Sequence, residues 1–234
     1  MRYTRIMLKL SGEVFEGKGS AIHKPALTHV AAQIRDLAKA GLQIVVVVGG
    51  GNIWRFRDTQ ETGIERTVSD AMGMLATIMN SVALQSALEA LDLQTRVLSA
   101  IDIPQLAEPF IRRRALQHLE KKRIVICAGG TGNPYFTTDS AAALRAVELS
   151  CDVLLKATNV DGVYDRDPKR SRSAKKYDEL TFQEALDKHL NVMDQAAFSL
   201  CQDQGLPIVI FDFSARGALR KAAAGEKIGT LVHR

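Results

Sequence analysis

Residues 129–140 read GGTGNPYFTTDS, between the apolar run Ile124–Ala128 and an Ala-rich helical run at 141–149. That pattern is a strand passing into a helix through a loop of Gly, Asn, Pro and Thr. Such a loop offers backbone N–H groups, hydroxyls and a helix N-terminus, which together favour an anion. Lys9 closes another apolar run, so it stands at a strand end as a point cation for bridging phosphate oxygens. Gly50 and Gly51, inside Gly49-Gly50-Gly51-Asn52, let backbone approach phosphates closely. Arg55 offers a second cation. Asp139 sits where a helix begins, either as an acid complementing that N-terminus or as the group that orients Lys9 or Mg²⁺-bound phosphate. Phosphoryl transfer needs positioning and charge cancellation rather than covalent work, and these residue types suit it.

The elements that must position these residues follow from periodicity. Strands are expected at Arg5–Leu10, 44–48, 96–99, 124–128, 152–156, 207–212 and 229–232. Residues 44–48 are five consecutive β-branched residues, as in a strand buried on both faces of a parallel sheet. Pro25 opens a helix whose C′ position suits Gly41. Ser69 or Asp70 caps a long helix to Leu91, with Met74, Leu75, Ile78, Met79, Val82 and Leu88 on its core face. Further helices are expected at 110–122, after the capping box Thr181-Phe182-Gln183-Glu184, at 194–204 and at 217–224. Asp194 reads as an N-cap. Strand and helix alternate throughout, so the fold class is α/β: a three-layer αβα sandwich about a mainly parallel sheet, in one domain over residues 1–234. Ligands in such sheets bind beyond the carboxyl ends of the strands. The loops leaving those ends are Ser11-Gly12, residues 49–52, 129–138 and 158–167, all polar or Gly-rich.

The chain has 234 residues, of which 46% are hydrophobic and 24% charged, enough for a sizeable core. A net charge of +5 is spread in short clusters, which suits anionic small substrates better than nucleic acid. Cys127, Cys151 and Cys201 are isolated, with no CxxC pair to bind zinc; Cys127 and Cys151 sit beside apolar runs and read as core residues, which suits a reducing compartment. No signal-peptide h-region is evident, and no apolar run approaches the ~18 residues of a membrane span. A cytoplasmic protein with no membrane partner is expected.

Two phosphate motifs are decoys. Residues 12–19 nearly follow the P-loop pattern, but Gly19 stands where its Mg²⁺-binding hydroxyl belongs. Residues 49–52 are glycine-dense without completing GxGxxG.

Taken in order, Lys9-Leu10-Ser11-Gly12-Glu13, Gly49-Gly50-Gly51-Asn52 with Arg55, the run from Asp70 to Thr77, Gly129 to Pro134, Thr137-Thr138-Asp139 and the run from Lys156 to Tyr164 resemble the bacterial uridylate kinases of the amino acid kinase superfamily. The resemblance implies transfer of the γ-phosphoryl of ATP, with Mg²⁺, to UMP. It implies that Lys9, Ser11, Gly12, Gly51, Arg55, Thr158, Asn159, Tyr164 and Asp167 surround ATP. It implies that Gly50, Asp70, Thr131, Gly132, Asn133, Pro134, Tyr135, Phe136, Thr137 and Thr138 hold UMP, and that Asp194 lies near the phosphates. The structural alternatives stay open beside it: a cap for Asp70 and Asp194, a core ring for Tyr164, turn formers for Thr158 and Asn159. The resemblance also implies a homohexamer, GTP as activator and UTP as inhibitor. Gly17, Lys18, Gly19, Ser20, Ala21 and Ile22 lie where the family's GTP-responsive loop lies, although the segment is short here. Phe56 replaces the family's usual Gly, which would reshape the loop toward residues 58–66.

Overall fold

The computed structural model describes residues 1–55, 62–168, 170–171, 173–190, 192–215 and 217–234. Phe56 and residues 57–61, on which the loop expectation rests, lie outside them.

Among the described residues nine strands form one sheet: β1 (Arg5–Leu10), β2 (Gln43–Val48), β3 (Thr95–Ser99), β4 (Glu108–Pro109), β5 (Ile124–Ala128), β6 (Val153–Thr158), β9 (Glu179–Thr181), β10 (Ile208–Asp212) and β11 (Thr230–His233). Their order is β4-β3-β5-β2-β1-β6-β10-β11-β9, and every neighbouring pair is parallel except β10 with β11. A separate antiparallel ribbon joins β7 (Val163–Tyr164) to β8 (Lys176–Tyr177). The central strands are buried on both faces, as their unbroken Val and Ile runs require.

Helices cover the two faces. Val46, Val48, Leu8 and Leu10 pack under α1 (Lys24–Lys39), α2 (Arg66–Glu89) and the short helix at Ala218–Ala224. Met7, Val45, Val47 and Leu154 pack under α3 (Arg112–Glu120), α4 (Thr138–Glu148), α5 (Phe182–Asp187) and α6 (Gln195–Gln204). The Ala-rich face of α4 (Ala141, Ala142, Ala146) lets it lie close to the sheet. The three cysteines are buried, free thiols; burial pushes those of Cys127 and Cys201 up to about 12 and makes them inert.

Several boundaries differ from expectation for physical reasons. Helix α2 begins at Arg66, not at Ser69 or Asp70. Ser69 is buried and its Oγ accepts from Trp54 Nε1 at 2.9 Å, so tertiary contact holds a first turn that lacks a side-chain cap. Asp70 is therefore inside the helix. The core face expected for α2 holds for Ile78 and Leu88, whereas Leu75 and Met79 face outward with Val68. An 18-residue window of α2 has a mean hydropathy of 1.3, as apolar as a membrane span, yet the helix lies against the sheet through Ile78, Leu84 and Leu88. Phe110 is not helical: its N–H donates to Ser99 O at 2.8 Å, extending the short edge strand β4 before α3 starts. Edge strands β4 and β9 and the β7–β8 ribbon, each two or three residues long, are too short to show a period.

Candidate active site

The parallel pairing of β5, β2, β1 and β6 brings four loops to one edge of the sheet: those after Leu10, Val48, Ala128 and Thr158. At the centre of that edge Lys9 on β1 and Lys156 on β6 are register partners. Alternation along the strands puts Lys9 on the side of Met7 and Lys156 on the side of Leu154, the face covered by α4. Like charges directly opposite repel. Asp139, in the first turn of α4, resolves the repulsion. Lys156 Nζ donates to Asp139 Oδ2 at 2.7 Å and to Val192 O at 2.8 Å. Lys9 Nζ lies 2.8 Å from Asp139 Oδ1, a contact of charges outside hydrogen-bond alignment. Burial would raise the Asp139 carboxyl, but the ammoniums of Lys9 and Lys156 outweigh it and hold it below its ordinary value. Lys156 is shifted down, chiefly by burial and further by Lys9, against the pull of Asp139. The result is two fixed cations sharing one anion at the end of the sheet.

On one side of this pair a cleft of about 620 Å³ opens. Lys9, Ser11, Lys156, Thr158 and Asn159 form its polar end, while Val14, Ala26, Val30, Ala157 and Phe213 form an apolar wall beside His29. The His29 and Phe213 rings meet edge to face at 6.5 Å. Thr158 Oγ1 is tied to Val160, bonding its carbonyl and N–H at 2.9 and 2.8 Å, so the loop after β6 turns sharply. Gly12 is required by space: a Cβ there would lie 2.2 Å from Asn52 Oδ1. Asn52 in turn joins Asn80 and Ala21 O, locking the loop after β2 to α2.

On the other side lies a cleft of about 330 Å³, walled by Gly50, Gly51, Arg55, Arg66, Asp70, Met74, Gly130, Asn133, Phe136, Thr137 and Thr138. Gly50 allows α2 to approach, since a Cβ would fall 2.7 Å from Gly73 O. The 129–138 loop is pinned at three places. Gly129 N–H donates to Thr77 Oγ1 at 2.9 Å. Tyr135 N–H donates to Asp70 Oδ2 at 2.8 Å, with Tyr135 held at φ +69, the left-handed region unusual for a non-glycine. Thr137 caps α4, accepting from Asp139 N and Ser140 N, and its hydroxyl donates to Asp194. Asp194 also accepts from Ser140 Oγ and from Ala197 N, each at 2.9 Å. It is thus both the cap of α6 and the anchor of the loop. Asp70 accepts from Arg66 Nε at 2.9 and 3.0 Å, and the Arg66 guanidinium lies 5.7 Å from the Tyr135 ring centre.

Of the residues expected around a donor nucleotide, Lys9, Ser11, Thr158 and Asn159 share the larger cleft. Gly51 and Arg55 stand instead on the wall of the smaller one. Tyr164 and Asp167 lie further out: the Tyr164 hydroxyl donates to Asp161 at 2.7 Å, and Asp167 lies 3.4 Å from Arg170. Of those expected around an acceptor, Gly50, Asp70, Asn133, Phe136, Thr137 and Thr138 wall the smaller cleft, with Thr131, Gly132, Pro134 and Tyr135 in the same loop. Residues 17–22 contain a tight turn, with Gly17 and Ser20 exchanging backbone bonds and Lys18 at its exposed tip. Gly12–Phe15 is a short 3₁₀ turn, so no P-loop cradle forms. Lys156 was not singled out from sequence, although it follows an apolar strand as Lys9 does. The signal that unites them is strand register, which is non-local. His29, Phe213 and Arg66 are further site residues that sequence reasoning missed.

Residues 4–212 match the model of the amino acid kinase family. The chain belongs to that family, and its sheet and helix layers form the family's α/β fold. Among solved structures it is similar to a UMP kinase from Bacillus anthracis, at 39% identity and TM-score 0.96 over 99% of this chain and 96% of that one. It is similar to a UMP kinase from Ureaplasma parvum at 38% identity and TM-score 0.95 over the full length of both. A uridylate kinase from Archaeoglobus fulgidus is 30% identical, with TM-score 0.74 over 97% of this chain and 99% of that one.

Proposed function

We propose that this chain is a UMP kinase, a phosphotransferase that moves the γ-phosphoryl group of ATP to UMP and yields UDP and ADP. The observation that carries the reading is the Lys9–Asp139–Lys156 cluster at the seam between two clefts of unequal size. The larger cleft takes ATP, with phosphates toward Lys9, Ser11, Thr158 and Asn159. The smaller takes UMP, with Asp70 facing the ribose hydroxyls and Thr137 and Thr138 facing the phosphate. The two ammoniums cancel charge on the moving group, and Asp139 keeps them aimed. Asp139 is no proton acceptor: its own proton is held off, and a phosphate monoester is already ionised near neutral pH.

Mg²⁺ enters with ATP as substrate. Both Asp139 oxygens already face ammoniums and Asp194 accepts three hydrogen bonds, so neither fits a resident divalent ion. The assembly is a homohexamer; the outward apolar stripe Val68, Leu75 and Met79 on α2 supports a covering second copy. GTP activates and UTP inhibits, and residues 17–22 take part in the GTP response. The enzyme works in the cytoplasm, which suits three buried free thiols.

Coupled ADP release should be seen with UMP and Mg–ATP, and not with glutamate, aspartate or carbamate as acceptor. Release with one of the latter instead would replace this reading with that of a carboxylate or carbamate kinase. Binding of ATP and UMP without UDP formation would mark a nucleotide storage protein.

A further inference from the structure

An ion pair between Arg55 and Glu13 joins the walls of the two clefts. Arg55, on the acceptor side, donates from Nε to Gly51 O at 2.5 Å and from Nη2 to Glu13 Oε1 at 2.5 Å. Glu13 belongs to the 3₁₀ turn after β1 and lines the donor cleft. Glu16 stands behind it, 3.7 Å from the same guanidinium. Among the described residues Arg55 is the sole side-chain partner of the Glu13 carboxylate. The Glu13 side chain is 43% exposed and that of Arg55 27%, so phosphate can reach and displace the pair. The pattern matches the seam, where Lys9 and Lys156 are also held by a carboxylate before any nucleotide arrives.

We propose that Glu13 is a positioning residue that holds Arg55 between the clefts and surrenders it to nucleotide phosphate. The inference rests on the UMP kinase reading for the identity of the ligands. Arg55 Nε is anchored on Gly51 O; Glu13 keeps the rest of the guanidinium within reach of both clefts, and its planar fork can exchange a carboxylate for two phosphate oxygens. The exchange has a thermodynamic consequence. Phosphate in either cleft must compete with Glu13 for Arg55, and the first ligand to break the pair spares the second that cost. Donor and acceptor binding are thereby coupled through a residue that needs to touch neither ligand.

The test is calorimetric binding of ADP, UMP and inorganic pyrophosphate to wild type, Glu13→Gln, Glu13→Asp, Arg55→Ala and the Glu13→Gln/Arg55→Ala double variant. Partly exposed pairs of this kind shift an equilibrium by about two- to fivefold. Glu13→Gln should tighten ADP and pyrophosphate by that factor. Glu13→Asp, which keeps the charge but withdraws it, should give part of the gain. In the Arg55→Ala background Glu13→Gln should change nothing. ADP should tighten UMP binding in wild type more than in Glu13→Gln. Equal tightening with and without Arg55 would mean a general field effect and overturn the proposal, as would weaker or unchanged binding in Glu13→Gln. Those outcomes leave the kinase reading standing if UMP and ADP still bind wild type. If no phosphate ligand binds wild type, both fall.

Discussion

Asp139→Asn is the most informative single change, because two register-paired lysines share its one carboxylate. The substitution keeps the size of the side chain and removes its charge. Two ammoniums that touch the same carboxylate, at 2.8 and 2.7 Å, repel by about 2–4 kcal/mol at an effective dielectric near 20. Removing one partner of a well-buried pair costs about 3–5 kcal/mol. These groups retain 13–14% exposure, which lowers the expectation to about 2–4 kcal/mol of stability. Lys156 can relieve part of the cost by releasing its proton, since burial already holds it below its usual value. The depressed Asp139 pKa contributes stability that is present above the unfolded carboxyl value near 4 and is lost as pH falls through the folded value. The stability gap between wild type and Asp139→Asn should therefore be widest near neutral pH and close in acid. Turnover should fall about 10²–10³-fold, because the cations lose their fixed direction. Denaturant unfolding from pH 3 to 8 and coupled ADP release are the assays. Unchanged stability at pH 7 with wild-type turnover would refute the reasoning, and so would a gap that widens in acid.

Four other expectations follow from the same geometry. Lys9→Ala and Lys156→Ala should each lower turnover by about 10²-fold or more, while Lys18→Ala at the exposed turn tip should leave it within about twofold; the reverse order would point back to a P-loop. Folded Lys156 binds its proton more weakly than an unfolded lysine, so the alkaline limb of kcat/KM, which reports the free enzyme, should begin below pH 10.5 and move lower still in Asp139→Asn. A limb at or above 10.5 would remove Lys156 from the reaction. Asp194→Ala should cost about 1–2 kcal/mol through the lost cap and raise the KM for UMP more than that for ATP, because the same carboxylate anchors Thr137 and Ser140. Gly50→Ala should lower the melting temperature by several degrees, since its methyl would press on Gly73 O and Ala76.

The sheet was legible because its central strands carry unbroken Val and Ile runs, and because Gly41 and the Thr181 capping box mark helix ends by local chemistry. The cap at Asp194 was legible for the same reason. What sequence missed is non-local. The start of α2 depends on a Trp54–Ser69 bond that no helical period reveals. Lys156 becomes a partner of Lys9 only once β6 pairs with β1 in register. His29 reads as one more polar position on α1 until the loop after β10 brings Phe213 against it. Leu75 and Met79 carry the same apolar signal as core residues, and only packing tells that they face outward. Tyr135 and Phe136, adjacent in sequence, separate in the structure: Phe136 walls the smaller cleft, whereas Tyr135 sits against Arg66 and gives its N–H to Asp70.

Two strand-borne ammoniums stabilise the direct transfer of a phosphoryl group from ATP to UMP. The most direct measurement is kcat/KM for UMP, CMP, dCMP, dTMP, AMP and GMP with Mg–ATP, in wild type and Lys156→Ala. UDP should form with UMP preferred over every other acceptor, and that turnover should be lost in Lys156→Ala. Preference for another monophosphate, or wild-type turnover without Lys156, would contradict it.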